Sequence, residues 1–455
     1  MSNAQSEVDA VVDRVDAALA DNLVPVEIFN NADVHRAEME RIFAKCWIFV
    51  AHESEIPNAG DYVSRSIGLD PVIVTRSKDG SVNVVSPFCR HRGTEVCQND
   101  SGNAAFFKCP YHGWTYDLDG TFKGAPAAKE LYGRPIDKEK WSLAKAPKVE
   151  VRNGFVFACL DQDGPSLEEY LGGGGWMWYL IFGMHPKGMR VVGPPDRYKV
   201  RANWKTAAEN FSGDVYHLMT LHWSTQEINI SEGLQFSAHI ANSYEMDNGH
   251  NFVGHSWTKV IHPGFILWGY PEEIHQNFDL TGLDAAQLEV ITHVPPTVGT
   301  IFPNLSFIRF AASKGPLAEG FPMSVVTSVR QWQPLGPDEM ELWSWQFVWD
   351  FMTPEEVDLS TDLGQYVFGS AGIFEQDDTM AWEGVPKMAA APWASKAAPL
   401  LHFDQGNNGP ASEPIPFDAP GTRTPTGMNE RRQVAFYRKW VEVMRGQVSN
   451  PTKKG

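Results

Sequence analysis

The sequence predicts an α+β fold in which a small all-β unit precedes a larger domain of helices and strands. From residue 47 to residue 160, short β-like runs alternate with turn residues, which is typical of a compact β unit. Apolar residues at helical spacing occur on both sides of this region. Four consecutive glycines at 172–175 follow it, and we interpret them as a flexible junction. We therefore divide the chain into an N-terminal helical part of the larger domain (1–44), the β unit (45–160) and the body of the larger domain (161–455).

Each element is predicted from a local pattern. Val11, Val15 and Leu19 recur at helical spacing and indicate a first helix, and Asn31 is the predicted cap of a second helix. Runs with strand character, bounded by turn residues, occur at 71–75, 82–85, 155–160, 325–332 and 341–351. Further segments with helical character occur at 32–44, 203–221, 369–382 and 430–445.

Composition and charge exclude several classes of function. The 455 residues include 38 basic and 56 acidic side chains, which gives a net charge of −18. Such an acidic chain repels nucleic acid and anionic membrane surfaces, so we expect neither as a partner. The N-terminus lacks the apolar core of a signal peptide, and no apolar run approaches the roughly 20 residues of a membrane helix. Five cysteines are too few for a disulfide scaffold. Taken together, these observations make a cytoplasmic protein the default expectation.

The strongest local signal is a pair of mixed metal-binding knuckles, Cys89-Arg-His91 and Cys109-Pro-Tyr-His112. Zinc modules usually pair Cys with Cys in one knuckle, whereas each knuckle here offers one thiolate and one imidazole. A [2Fe–2S] cluster with two Cys on one iron and two His on the other needs this set of ligands. An ordinary zinc site is the alternative. The two segments closely resemble the Rieske cluster motif.

This resemblance also predicts the type of Rieske centre. Respiratory Rieske proteins carry an extra cysteine in each cluster loop, and the two form a disulfide. Here Cys97 lies near the first loop, but Tyr111 occupies the second, so that bridge cannot form. We expect a reduction potential on the low side of the Rieske range. Cys46, Cys97 and Cys159 are expected to be buried apolar residues rather than ligands.

A second group of candidate ligands lies downstream. His217 and His222 are about 140° apart on a regular helix, so they converge on one ion only if the helix is distorted or ends between them. Alone, such a pair is more often structural than metal-binding. The run Phe374-Glu-Gln-Asp-Asp378 adds carboxylates in a predicted helix. Two histidines and one carboxylate form the facial triad of non-haem Fe(II) oxygenases.

Both motifs occur in the order found in one family. Over essentially its whole length, the chain resembles the large (α) subunit of Rieske non-haem iron aromatic-ring-hydroxylating dioxygenases. The resemblance implies a helix-grip-like catalytic domain with an antiparallel sheet. It places His217, His222 and Asp378 on a mononuclear Fe(II), in addition to the [2Fe–2S] Rieske cluster. Asp377 is expected to be a solvated helix acid.

The same resemblance implies a role for Asp214. In that family the equivalent acid bridges a subunit boundary, here from His112 of the partner subunit to His217. Capping of a helix is the alternative. The bridge implies a homotrimer, α3, or an α3β3 assembly with a small β subunit. Since the chain has no dinucleotide or flavin motif, electrons would come through a ferredoxin and/or an NADH-dependent reductase.

The implied reaction is the cis-dihydroxylation of a small aromatic substrate by O2. The resemblance nominates these pocket residues: Asn210, Phe211, Val215, Leu218, Asn304, Phe368 and Phe374. They are mostly apolar, which suits an aromatic hydrocarbon, although core packing also explains most of them. Arg309 lies in an alternating strand pattern and would suit an arene carboxylate if it pointed inward. A Rieske monooxygenase or O-demethylase acting on an aromatic substrate, and a non-catalytic Rieske electron carrier, remain alternatives.

Overall fold

The computed structural model divides into two compact units. Residues 43–167 form the smaller unit, and residues 1–42 together with 168–455 form the larger unit. The structure describes residues 3–227, 241–255, 267–315, 319–414 and 419–448. No helix in this described part of the chain is long and apolar enough to cross a membrane.

Helices and strands alternate along the described chain. The strands are β1 Leu23–Pro25, β2 Ile48–His52, β3 Asp61–Ile67, β4 Asp70–Arg76, β5 Val82–Val85, β6 Ser101–Asn103, β7 Phe107–Lys108, β8 Thr115–Tyr116, β9 Phe122–Gly124, β10 Lys148–Arg152, β11 Phe155–Cys159, β12 Met189–Val191, β13 Asp196–Val200, β14 Ala241–Glu245, β15 Asn251–His255, β16 Pro296–Ile301, β17 Leu305–Ser313, β18 Met323–Gly336, β19 Glu339–Trp349, β20 Leu400–His402, β21 Glu413–Pro414 and β22 Thr422–Thr424. The α-helices are α1 Asn3–Leu19, α2 Ala32–Glu38, α3 Ala128–Tyr132, α4 Leu167–Leu171, α5 Gly173–Trp178, α6 Trp204–Asn210, α7 Trp223–Glu227, α8 Glu272–His275, α9 Ala285–His293, α10 Pro354–Phe368, α11 Glu375–Ala389, α12 Ala394–Ala397 and α13 Arg431–Met444.

The smaller unit consists of three short antiparallel sheets. Their strand orders are β5-β4-β3-β6, β10-β11-β2 and β7-β8-β9. One apolar core contains Cys89 and Cys109 among aromatic side chains that include Tyr62, Phe107 and Tyr116. Two unbridged thiols in one core are usually retained for their chemistry rather than for their packing.

One long antiparallel sheet organises the larger unit. Its strand order is β12-β19-β18-β17-β16-β15-β14-β22-β21, and β13 also pairs with β19. Because side chains alternate between the faces of a strand, Ile308 and Phe310 of β17 lie on one face and Arg309 lies on the other. Helix α10 covers the first face, where Phe310 packs with Val367 and other residues of one apolar cluster. Strands β17 and β18 are buried over most of their length.

A buried ion pair joins the N-terminal helices to the rest of the larger unit. Nζ of Lys205 lies 2.6 Å from Oε1 of Glu38, and both side chains are fully buried. The indole N–H groups of Trp204 and Trp440 donate to the same carboxylate at 2.9 and 2.8 Å. A buried charge is tolerated when it is paired and hydrogen-bonded in this way. The Glu38 carboxylate therefore connects α2, α6 and α13.

The boundaries of three predicted helices differ from those observed. Asn31 caps α2 as predicted, but α2 ends at Glu38 and a π-helical turn follows over Met39–Phe43. The helix predicted over 203–221 ends at Asn210, because the chain turns at Gly213, whose φ is 117°. The helix predicted over 369–382 begins only at Glu375. The residues before it form turns whose N–H groups bond back to carbonyls of α10.

The glycine run is helical, which contradicts the predicted flexible junction. Residues 173–175 are buried and begin α5. A Cβ at Gly174 would lie 2.8 Å from Cδ2 of His250, so this helix can approach His250 closely only with glycine there. The glycines thus serve close packing. Cys46 and Cys159 are buried as predicted, whereas Cys97 is only half-buried.

Candidate active site

Two loops of the smaller unit carry the predicted cluster residues, and the two loops are built alike. In the first, the N–H of Gly93 donates to the carbonyl of Cys89 at 2.9 Å. In the second, the N–H of Gly113 donates to the carbonyl of Cys109 at 3.0 Å. The φ angles of Gly93 and Gly113 are 78° and 71°, a region that glycine adopts without steric cost. Each loop is thereby closed into a tight turn around its cysteine.

The two histidines of these loops face each other. The ring centroids of His91 and His112 are 4.5 Å apart, and His91 stacks on Trp114 with 5° between the planes. Nδ1 of each ring is buried and has no hydrogen-bond partner among the described residues. The Cys89 and Cys109 thiols belong to the same buried cluster, and burial together with the neighbouring Cys89 raises the pKa of Cys109. Two thiols and two unpaired imidazole nitrogens fit the donor set of a Rieske cluster.

A phenol contacts one of the thiols. Oη of Tyr116 accepts the N–H of Arg90 at 3.1 Å and lies 3.4 Å from Sγ of Cys89. Burial raises the pKa of Tyr116, so its hydroxyl keeps its proton and can donate that proton toward sulfur. Hydrogen bonds to ligand sulfurs help to set the reduction potential of an iron–sulfur cluster.

The second set of predicted ligands lies where α6 has ended. His217 belongs to a short 3₁₀ helix over Tyr216–Met219, and His222 immediately precedes α7. The N–H of Leu221 donates to the carbonyl of His217 at 2.7 Å and closes the turn between the two histidines. Their ring centroids are 5.0 Å apart. The break in the helix therefore brings together two histidines that a regular helix would hold apart.

Both imidazoles face one carboxylate from the first turn of α11. Nε2 of His222 and Nε2 of His217 lie 3.1 and 3.5 Å from Oδ1 of Asp378. Ligand atoms of these three residues lie within 4.8 Å of one another. Two imidazoles and one carboxylate, all largely buried, match the donor set of a mononuclear non-haem iron site.

A further carboxylate lies behind each imidazole. Nδ1 of His217 is 3.4 Å from Oδ2 of Asp214, and Nδ1 of His222 is 3.3 Å from Oδ2 of Asp377. A carboxylate at Nδ1 fixes the tautomer that presents a lone pair at Nε2. The prediction that Asp377 is merely a solvated acid is therefore wrong, because its carboxylate contacts His222. Asp214 also accepts the N–H groups of Tyr216 and His217, so it caps this turn as well.

The electrostatics of this group favour a cation. Burial opposes charge on His217, but the Asp214 and Asp378 carboxylates outweigh it and hold the pKa of the imidazole well above its usual value. Burial likewise opposes ionisation of Asp378, yet hydrogen bonds from His217 and His222 hold the pKa of its carboxyl below the usual range. The excess of negative charge around two imidazoles suits a divalent metal ion.

A cavity opens beside these residues. About 680 Å³ in and around it is free of protein atoms, part of which is open to solvent. The described lining residues are Asn210, Phe211, Asp214, Val215, His217, Leu218, His222, His255, Thr297, Val298, Ile308, Phe310, Phe368, Phe374 and Asp378. All predicted pocket residues except Asn304 are among them. Sequence reasoning missed the contributions of β15, β16 and β17, although the alternation of Ile308 and Phe310 was a usable signal.

The predicted pocket residue Asn304 lies elsewhere, and so does Arg309, which was considered only as a possible partner for an arene carboxylate. Asn304 is buried in the turn between β16 and β17, where its amide donates to the carbonyl of Trp332 in β18 at 3.2 Å. Arg309 lies on the opposite face of β17, donates to Oγ1 of Thr327 at 2.9 Å and stacks over Trp268 at 4.6 Å. Burial lowers the pKa of Arg309 to about 10, which still leaves it charged at neutral pH. Strand alternation directs it away from the cavity.

The fold and the two centres define an oxygenase with an iron–sulfur cluster and a mononuclear iron. Residues 46–144 match the model of the Rieske [2Fe-2S] domain. Residues 191–446, more than half of the chain, match that of the ring hydroxylating alpha subunit (catalytic domain). The chain therefore belongs to the family of ring-hydroxylating Rieske oxygenase α subunits.

The relatives that the chain resembles cover between 80% and 98% of it. It is 44% identical over 449 residues to N,N-dimethyl phenylurea N-demethylase subunit alpha of Sphingobium sp. (strain YBL2), covering 98% of this chain and 96% of that one. It is 32% identical over 376 residues to the large oxygenase component of the naphthalene 1,2-dioxygenase system of Pseudomonas aeruginosa, covering 80% and 79%. The crystal structure of naphthalene 1,2-dioxygenase from Rhodococcus sp. bound to indole matches with a TM-score of 0.87 at 34% identity, covering 97% and 98%. These matches confirm the predicted fold class and both cofactors.

Proposed function

We propose that this chain is the terminal oxygenase of a multicomponent system and that its substrate is an uncharged aromatic compound. The composition of the cavity carries the proposal. Its described lining is apolar and aromatic apart from the candidate ligands, the carboxylate of Asp214 and a few neutral polar groups, and it contains no Lys or Arg. An arene carboxylate would need a buried cation. Arg309 faces the other side of the sheet, so a neutral ring fits this cavity better.

The proposed roles of the residues follow from their contacts. Cys89, His91, Cys109 and His112 would hold the cluster, and His217, His222 and Asp378 would hold the iron. When bound, the cluster supplies electrons and the iron supplies the activation of O2. Asp377, which is hydrogen-bonded to Nδ1 of His222, and Asp214, which lies near Nδ1 of His217, would favour the tautomers that direct both Nε2 lone pairs at the metal position. Phe368 and Phe374 orient the ring and exclude water.

Oxidative N-demethylation is the first candidate reaction. The relative with that activity shares 44% identity over 98% of this chain. In this reaction O2, two electrons and two protons convert an N-methyl group into an N-hydroxymethyl group and one water. The bond between nitrogen and the CH2OH carbon then breaks, the hydroxyl proton passes to the nitrogen, and formaldehyde is released. A substrate of the N-methylated phenylurea type has the neutral aromatic character that the cavity suits.

cis-Dihydroxylation is the second candidate, and the match to the naphthalene 1,2-dioxygenase structure favours it. In this reaction O2, two electrons and two protons add two hydroxyl groups to adjacent ring carbons, and no water is released. Both reactions use the same number of electrons from the same two centres. What would decide between the two reactions is whether a methyl group or a ring edge of the bound substrate lies nearest the iron ligands, which include Asp378.

A single turnover of the reduced enzyme tests this proposal. The panel would contain an N,N-dimethyl phenylurea, naphthalene and benzoate, with products read by mass spectrometry under ¹⁸O2. Loss of one methyl group together with formaldehyde supports N-demethylation, and gain of two labelled oxygens and two hydrogens supports cis-dihydroxylation. Preferential turnover of benzoate would contradict the assignment of an uncharged substrate.

The iron content separates an oxygenase from an electron carrier. A carrier would hold about two irons and two acid-labile sulfides per chain, a ratio of iron to sulfide near 1. The oxygenase would hold about three irons and two sulfides, a ratio of iron to sulfide near 1.5.

We further propose electron delivery by a ferredoxin and/or an NADH-dependent reductase, and an α3 or α3β3 assembly in which Asp214 approaches His112 of the partner subunit. Sedimentation of the holoenzyme tests the assembly, and a monomer active at full rate would contradict it.

A further inference from the structure

A buried polar network lies directly behind the proposed iron site. Nη1 of Arg330 in β18 donates to Oε1 of Glu375 at 2.9 Å, and Nη2 lies 2.5 Å from Oε2. The hydroxyl of Tyr198 in β13 donates to the same carboxylate. The side chains of Arg330 and Glu375 are 0% and 1% exposed. Neither residue lines the cavity or contacts the proposed ligands directly.

This network is connected to the site in two ways. Glu375 begins α11 and precedes Asp378 by three residues, so both stand in the same first turn. No side chain caps that turn, because its N-cap position is Phe374. The Arg330 guanidinium also lies 5.1 Å from the ring of Phe211 and 4.8 Å from the ring of Phe368, two walls of the cavity.

Stability alone explains such a pair poorly. Removing two charges from water costs several kcal/mol per ion, and apolar replacements of similar volume are often neutral or stabilising. A buried pair does impose one geometry, because a misplaced partner leaves a charge without compensation. Here that geometry joins the start of α11 to strand β18 and to two aromatic walls.

We propose that Arg330 and Glu375, with Tyr198, are positioning residues that fix Asp378 and the aromatic walls relative to each other. The inference rests on the proposed function of the site. The network determines how tightly the iron is held and where the substrate lies when O2 is used. It acts through Asp378, Phe211 and Phe368 rather than by contact with substrate.

The test compares single variants with an apolar double variant. Arg330→Met and Glu375→Gln each leave the other residue without its charged partner and are expected to lower thermal stability. The double variant Arg330→Met/Glu375→Met removes both charges and refills the space. It is expected to recover much of the stability but to bind Fe(II) about tenfold more weakly than the wild type, as for other residues that support metal ligands. It should also release more of the consumed O2 as hydrogen peroxide.

Arg309→Met is the matched control. Arg309 is also a fully buried arginine stacked on aromatic rings, in the strand next to β18, but it faces away from the cavity. Its loss is expected to affect stability without changing Fe(II) affinity. The visible spectrum of the Rieske cluster serves as an internal control in every variant.

Two results would overturn the inference. One is a stable double variant with wild-type Fe(II) affinity and wild-type coupling of O2 to product, which would make the network structural only. The other is an equal loss of Fe(II) affinity in Arg309→Met. If the double variant does not fold, Tyr198→Phe removes one hydroxyl only, and unchanged coupling there contradicts the proposal. Because Fe(II) affinity is measured without substrate, failure of this inference is distinguishable from failure of the proposed reaction.

Discussion

The contact between Asp377 and His222 predicts a measurable contribution to iron binding. Asp377→Ala removes the acceptor that lies 3.3 Å from Nδ1 of His222, while His222 and the cavity stay intact. Carboxylates that orient a ligand histidine typically contribute 10- to 100-fold to metal affinity. The Asp377 side chain is 35% exposed, so water screens it and can replace it. We therefore expect the lower end of that range, about tenfold or about 1.4 kcal/mol.

The assay is an anaerobic titration of iron-depleted protein with Fe(II) in competition with a chromophoric chelator. Gln376→Ala is the matched control, since Gln376 is the exposed neighbour on the same helical turn. Asp377→Asn keeps a hydrogen-bond acceptor and should fall between wild type and Asp377→Ala. The reasoning is refuted if Asp377→Ala and Gln376→Ala bind Fe(II) equally well, or if Asn is as harmful as Ala.

Lys205→Met leaves the buried Glu38 carboxylate without its cation, so the free energy of unfolding should fall by about 3–5 kcal/mol. Urea titration followed by tryptophan fluorescence measures this, and a loss below about 1 kcal/mol would contradict the importance of the pair. Burial lowers the pKa of His250 to about 4. A histidine in the unfolded chain has a pKa of about 6.5, so between about pH 6.5 and about pH 4 the unfolded chain binds more protons than the folded one. The free energy of unfolding should therefore fall as the pH drops from about 6.5 to about 4, by up to about 3 kcal/mol. In His250→Gln the slope of unfolding free energy against pH should decrease by an amount equivalent to the uptake of roughly one proton. An unchanged slope would show that His250 is not the group responsible. Asp214→Asn should slow electron transfer from the reduced cluster to the iron in stopped-flow single turnover, and unchanged coupled turnover would remove the bridging role. Tyr116→Phe should lower the reduction potential of the cluster, because a hydrogen bond toward Cys89 sulfur is lost; protein-film voltammetry checks the direction.

The sequence was informative where chemistry restricts residue type. Cys89 and His91 occur at a ligand spacing that few other functions require, and the structure places them with their partners in adjacent loops. The need for a helix break between His217 and His222 also followed from helical geometry, and the structure has it. These features depend on positions that are close along the chain.

Features that depend on tertiary contacts were not predictable. A four-glycine run is typical of a flexible loop, and only the approach of His250 to Gly174 explains why it is helical. Asp377 looked solvated because its partner, His222, lies 155 positions away. Asn304 was misplaced because its amide bonds to a carbonyl of a neighbouring strand rather than facing the cavity.

Because side chains alternate along β17, its positions fall into two groups, one facing the cavity and one facing away from it, and substitutions in the two groups should have different effects. Ile308 and Phe310 shape the cavity, whereas Arg309 between them belongs to a separately packed layer. Substitutions at the even-numbered positions can change which molecule is accepted without disturbing that layer. A change at 309 is expected to alter expression and stability first. Variation in substrate range among related enzymes should therefore concentrate at every second residue of this strand.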